Sequence, residues 1–106
     1  MNVNSVYNNS DAASAILTAM ANPKRLMILA TLVQGEIAVG ALANQIGLSQ
    51  SALSQHLSKL RALNLVNTRR DAQTIYYSST SSDVIKILDA LHSIFDNQKR
   101  GRSAAA

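Results

Sequence analysis

Residues 41–63 contain two helical patterns separated by a glycine, and this stretch constrains the fold more than any other part of the chain. Gly47 stands where the first pattern ends, and glycine adopts the left-handed conformation of a helix end at little cost. Ser49 is a good N-cap, so a second helix is predicted to begin at Gln50. The stretch therefore predicts two helices joined by a tight turn over residues 47–49.

The second of these helices has an apolar stripe and an opposite face with almost no charge. The stripe consists of Leu53, Leu57, Leu60 and Leu63. The opposite face carries short hydroxyls and amides, whereas a helix face that only meets water is usually rich in Glu and Lys. Side chains of this kind hydrogen-bond to base edges in the major groove of DNA. The residues predicted to read bases are Gln50, Ser51, Ser54 and Gln55.

After Asn64 the pattern changes to that of a β-hairpin. The runs 65–70 and 74–79 are rich in Thr, Val, Ile and Tyr and are separated by three polar or small residues. The loop has Ala72 where a glycine would favour a tight turn, so a tight turn is not expected. The residues predicted to contact the DNA backbone, in this hairpin and elsewhere, are Lys24, Arg25, Ser49, His56, Ser58, Lys59, Arg69, Arg70 and Gln73.

Asn22 and Pro23 predict the start of a central helix that runs to about Val33 and is apolar nearly all round. Lys24 and Arg25 lie in its first turn, where the helix dipole disfavours cations. A nearby phosphate would explain this placement, and two ordinary solvated charges would explain it equally well.

The run from Gly47 to Leu60, the hairpin up to Tyr77 and the upstream segment 21–29 together resemble the ArsR/SmtB family of bacterial winged-helix repressors. The resemblance covers roughly residues 20–79 and is stronger to family members that do not sense metal. It implies an α+β, mostly α fold, a winged helix-turn-helix with five helices and a two-stranded β-hairpin wing. It also implies a homodimer in which the first helix takes part. The predicted function is sequence-specific DNA binding at an inverted-repeat operator, most simply as a repressor.

Both ends of the chain differ from this core. Residues 1–9 are predicted to form a flexible arm, residues 10–96 the winged helix-turn-helix domain, and residues 97–106 a flexible basic tail. The first and last helices of the domain carry apolar faces wider than one small core can bury, which favours a second copy. The residues predicted to form the dimer interface are Ile16, Leu17, Met20, Leu88, Leu91 and Phe95.

The composition restricts which classes of partner and which cellular compartment are expected. The formal net charge of +4 favours a polyanionic partner, and the chain has no cysteine, which removes disulfides and thiolate metal sites. It shows neither an apolar run of about 20 residues, as a membrane span needs, nor a signal peptide. We therefore expect a cytoplasmic protein without membrane contact.

The alternatives to DNA binding are metal sensing, enzymatic activity and binding to another protein. The family's thiolate metal site would fall on residues 38–40, which are Ala, Val and Gly, and the pair Asp89 and His92 is too small for four-coordinate zinc. No cofactor, metal or catalytic residue is predicted, because no nucleophile with its base and no phosphate loop is visible. A winged helix that binds another protein remains open, although its exposed helix face would be expected to carry apolar anchors.

Overall fold

The computed structural model describes residues 1–105 of the chain, with side chains described for residues 1–96. Six helices and three short strands form over these residues. The helices are α1 (Val3–Asn8), α2 (Ser10–Met20), α3 (Pro23–Leu32), α4 (Val39–Ile46), α5 (Gln50–Ala62) and α6 (Ser82–Ala105). The strands are β1 (Ile37–Ala38), β2 (Asn67–Asp71) and β3 (Thr74–Ser78). The predicted class, mostly helical with a winged helix-turn-helix, is confirmed; the structure has one helix more than the five predicted, and a third strand, β1, beside the two-stranded wing.

The missed helix is α1, which lies inside the predicted N-terminal arm. Asn2 caps it, because its side-chain oxygen accepts hydrogen bonds from the backbone N–H groups of Asn4 and Ser5. None of its residues is buried. A single capped turn and a half therefore forms on the surface, and the flexibility of residues 1–9 stays a prediction.

The sheet is antiparallel with the strand order β1-β3-β2, so β3 lies in the middle. The hairpin closes with Asp71 opposite Thr74, which leaves a turn of only two residues. Ala72 adopts φ 54° in this turn, a left-handed conformation that costs a non-glycine residue roughly 1–2 kcal/mol. The expectation that the wing lacks a tight turn is therefore wrong, since the strand pairing imposes the turn despite the alanine.

The core lies between α3, the helix-turn-helix, the sheet and the start of α6. Ile28, Leu29 and Leu32 of α3 are almost completely buried, as expected of a central helix. The rest of the buried apolar core consists of Ala19, Met20, Leu42, Ala43, Ile46, Leu53, Leu57, Leu60, Leu65, Val66, Tyr77 and Val84. The presence of Met20 corrects one prediction, because at 2 % exposure it packs inside its own protomer and is not free to face a second copy.

The last helix extends further than the sequence indicated. Its bounds, Ser82–Ala105, run past residue 96, where the domain was expected to end. The predicted basic tail falls on residues 97–106, whose side chains lie outside the described part of the chain, and it stays a prediction. No helix in the described residues is long and apolar enough to span a membrane.

Candidate nucleic-acid interface

The helix-turn-helix forms as the sequence predicts. Gly47 ends α4 in the left-handed conformation with φ 79°, and its N–H donates to the carbonyl of Ala43 at 2.9 Å. Ser49 caps α5 by accepting a hydrogen bond from the N–H of Ala52 at 3.1 Å. Asn64 adopts φ 58° just after α5, and asparagine is, after glycine, the residue that most often takes this left-handed conformation at a helix end. The turn and both ends of α5 are thus fixed by local signals.

One side of α5 is buried and the other is free. Its leucines at positions 53, 57 and 60 face the core, and Leu63, predicted as a fourth member of the stripe, is exposed at 37 %. The side chains predicted to read bases make no hydrogen bond within the described part of the chain. The exposed residues on this side of the helix are Ser49, Gln50, Ser51, Ser54, Gln55, Ser58 and Lys59. Apart from the Ser49 hydroxyl, which caps α5, the side-chain donors and acceptors of these residues have no partner in the described part of the chain and are available to an external one.

Arg69 is engaged within the chain. Its Nε donates to Oε2 of Glu36 at 2.9 Å and its Nη2 donates to Oε1 at 2.7 Å. The guanidinium also lies 4.5 Å from the ring centroid of Tyr76, so it crosses β3 to reach the residue before β1. This hydrogen-bonded pairing lowers the pKa of Glu36 and raises the pKa of Arg69.

The other cations of the wing are placed differently. Arg70 lines a shallow groove of about 220 Å³ together with Arg61, Thr68 and Arg69, between the end of α5 and the wing. Neither Arg61 nor Arg70 has an ion-pair partner among the described residues. Gln73 is exposed in the turn. Arg61 and Thr68 were missed from the sequence, because only the fold brings the end of α5 beside β2.

Three residues predicted to contact the DNA backbone have partners inside the protomer. Lys24 Nζ donates to the carbonyl of Ile46 at 3.1 Å, and Arg25 Nε donates to Nδ1 of His56 at 3.1 Å. Burial, with smaller contributions from Arg25 and Lys59, lowers the pKa of His56 below 6.5. His56 is therefore a half-buried acceptor, and Lys24 and Arg25 are hydrogen-bonded inside the protomer, although neither has an ion-pair partner among the described residues.

Metal sensing through the pair on α6 has little support from the geometry. Asp89 and His92 are both exposed on α6, beside a groove between α6 and α3. Within the described residues, no group of three His, Cys, Asp or Glu side chains is close enough to hold a metal ion. The expectation that this protein binds no metal stays a prediction.

Comparison with known proteins decides the family. The model of the bacterial regulatory protein, arsR family, matches residues 22–68, which run from the cap of α3 into β2. The nodulation protein NolR of Rhizobium meliloti is 67% identical over 89 residues, which cover 84% of this chain and 73% of NolR. The chain belongs to the ArsR family. It is a DNA-binding transcriptional regulator, and the prediction that it is not an enzyme is confirmed by this membership.

Other members of the ArsR family show how far the similarity extends. The transcriptional activator HlyU of Vibrio cholerae is 46% identical over 95 residues, which cover 90% of this chain and 88% of HlyU. The crystal structure of NolR from Sinorhizobium fredii superimposes with a TM-score of 0.81 at 68% identity, covering 84% of this chain and 89% of that one. The transcriptional repressor BigR from Xylella fastidiosa gives a TM-score of 0.84 at 37% identity, covering 90% and 97%. The winged-helix fold is common to all of them.

Proposed function

We propose that the protein is a homodimeric repressor that binds an inverted-repeat operator and occludes a promoter. The observation that carries the DNA-reading part is the exposed face of α5, where the side-chain amides of Gln50 and Gln55 make no hydrogen bond within the described part of the chain. Two symmetric recognition helices would enter the major groove about one helical turn apart, at ~34 Å. An operator of two inverted half-sites follows from that symmetry.

The dimer is supported by apolar surface that a single protomer leaves uncovered. Leu17 of α2 is 55 % exposed, and Ile94 and Phe95 of α6 are 49 % and 63 % exposed. The radius of gyration is 16.0 Å, whereas a compact domain of this length has about 13 Å. Of the six residues predicted for the interface, Met20 is buried in the core, Ile16 and Leu88 pack against the core, Leu91 is half-buried beside α3, and Leu17 and Phe95 are exposed.

Repression is proposed from the relatives as well as from the geometry. NolR is named a nodulation protein and BigR a repressor, whereas HlyU is named an activator. The identity to NolR supports the proposal that this protein controls genes similar to those that NolR controls. Binding by α5 at a promoter blocks polymerase without any additional contact, so repression is the simpler outcome.

Selection of bound sequences from random duplexes, followed by footprinting, tests the proposal. We expect an inverted repeat whose half-site centres lie about one helical turn apart. A reporter driven by a promoter that overlaps this sequence should fall in expression when the protein is present. Recovered sites without symmetry would contradict the dimeric operator, and increased reporter expression would contradict repression.

A further inference from the structure

The first turn of α3 carries two adjacent cations at the helix end where cations are least favourable. Lys24 donates from Nζ to the carbonyl of Ile46, the last residue of α4. The C-terminal end of a helix bears a partial negative charge and unpaired carbonyls, which attract an ammonium group. The unfavourable position of Lys24 on its own helix is therefore offset by a favourable one at the end of α4.

Arg25 makes a second set of contacts, to two other helices. Its Nε donates to Nδ1 of His56 at 3.1 Å, and its Nη1 donates to the carbonyl of Ala19 at 3.2 Å. An Nδ1 that accepts carries no proton, so the imidazole is neutral with its proton on Nε2. One guanidinium thus joins the end of α2 to the middle of α5.

These contacts lie on both sides of the turn between α4 and α5. Ile46 immediately precedes the turn, and His56 lies in the second turn of the helix that follows it. The buried leucines of α5 hold the helix against the core, but apolar contacts are not directional. A hydrogen bond is directional, so the bond to His56 restricts rotation of α5 about its own axis. His56 is the neighbour of Gln55, and any such rotation would move the Gln55 amide.

We propose that Lys24 and Arg25 are positioning residues that clamp the two helices of the helix-turn-helix, with His56 as the receiving group on α5. Their role is to set the orientation of the base-reading face, and neither binds a DNA phosphate. This inference rests on the proposed function, because it requires α5 to be the helix that reads bases.

Salt dependence separates a clamp from a phosphate contact. A residue that neutralises a phosphate contributes about one to the slope of log affinity against log salt concentration, on any sequence. For Lys24→Met and Arg25→Gln we expect an unchanged slope, a loss of about tenfold or more on the selected operator, and a much smaller loss on a scrambled duplex. A slope reduced by about one on both duplexes, or no loss on the operator, would overturn the inference.

Two variants of His56 test the clamp without altering a cation. Asn places an acceptor near the position of Nδ1, whereas Gln places it near that of Nε2. His56→Asn should keep operator affinity close to that of the native protein, and His56→Gln should lose it by about tenfold. Thermal unfolding followed by circular dichroism confirms that each variant is folded. Equal affinities for the two variants would overturn the inference, even if Arg25→Gln itself does not fold.

A double variant measures the coupling between Arg25 and His56. If Arg25 and His56 act as one unit, the double variant Arg25→Gln with His56→Gln should bind the operator no more weakly than the poorer single variant. Its affinity would then be about tenfold higher than the two single losses, multiplied together, would give. Additive losses would show that the two side chains act separately. If the native protein bound the scrambled duplex as tightly as its selected operator, the proposed function would be contradicted. This failure is distinguishable from failure of the clamp, which is seen only in the variants.

Discussion

Arg69 and Arg70 are adjacent in β2, but their side chains lie on opposite faces of the sheet. Successive residues of a strand alternate in this way, and here the alternation gives the two guanidiniums different surroundings. Arg69 lies over Tyr76 and pairs with Glu36, whereas Arg70, which lines the groove beside Arg61 and Arg69, has no ion-pair partner among the described residues. Two arginines that are equivalent in the sequence are therefore expected to contribute unequally to DNA binding.

Salt titrations should show this difference. Arg70→Ala removes a charge that has no ion-pair partner in the described residues, so it should weaken binding to all sequences and reduce the salt slope by about one. Arg69→Ala should reduce the slope less, because Glu36 already neutralises much of that charge. Filter binding on operator and scrambled duplexes at several salt concentrations measures both slopes. Equal reductions for the two variants would mean that Arg69 leaves Glu36 to meet the DNA.

Base reading by α5 gives the second prediction. The side chain of Gln55 is exposed, makes no hydrogen bond within the described part of the chain, and offers both a donor and an acceptor to a base edge. Gln55→Ala should therefore lose about 1–3 kcal/mol of binding free energy on the operator and much less on scrambled DNA. Gln34→Ala makes the same chemical change at the end of α3 and should bind both duplexes like the native protein. If Gln55→Ala lost the same binding free energy on both duplexes, a residue other than Gln55 would have to read the bases.

The features that the sequence predicted correctly depend on local rules. Gly47 and Ser49 act on their immediate neighbours, and the leucines of α5 show its buried side through their spacing alone. The contacts that were missed join distant residues: His56 is 31 positions from Arg25, and Glu36 is 33 positions from Arg69. Spacing along the chain carries no information about such pairs.

Two other errors also arise from tertiary structure. The periodicity of α2 groups Met20 with Ile16 and Leu17, but how the helix packs decides which of them is buried. Similarly, Ala72 is a poor residue for a left-handed turn, and the pairing of β2 with β3 nevertheless imposes that conformation. A local preference predicts a structure only where no longer-range interaction outweighs it.

The dimer yields the third prediction. Phe95 is 63 % exposed in the protomer, so a charge at this position should not disturb the protomer's own fold. In a dimer interface the same charge would be buried without a partner, at a cost on the order of 3 kcal/mol. Phe95→Asp should therefore shift the protein towards the monomer in light scattering, while Ser93→Asp, on the other side of α6, should not. An unchanged dimer with Phe95→Asp would exclude this part of α6 from the interface.

The fourth prediction is that DNA affinity does not depend on metal. Asp89 and His92 are exposed and, within the described residues, lack the third and fourth ligands that zinc requires. Operator affinity should be the same with zinc added and with a chelator present. The double variant Asp89→Asn with His92→Gln should behave identically. A zinc effect of about tenfold, or about 1.4 kcal/mol, would instead support the metal-sensor alternative.

The fifth prediction concerns the dependence of stability on pH. Burial of the His56 ring, together with Arg25 and Lys59, lowers its pKa from the ordinary value of 6.5. The folded protein thus binds a proton at this site less readily than the unfolded chain does. The stabilisation from neutral His56 is fully present above a pH of about 6.5 and is lost as the pH falls through the folded-state pKa.

Urea unfolding at about pH 7.5 and about pH 5.5 measures this loss, because only groups that titrate in that interval contribute to the difference. The native protein should lose free energy of unfolding on acidification. His56→Asn keeps an acceptor for Arg25 but cannot be protonated, so it should lose less over the same interval. His92 and the carboxylates are common to both proteins, and the difference between the two losses therefore belongs to His56. Equal losses would mean that folding does not lower the pKa of His56, and would contradict this prediction.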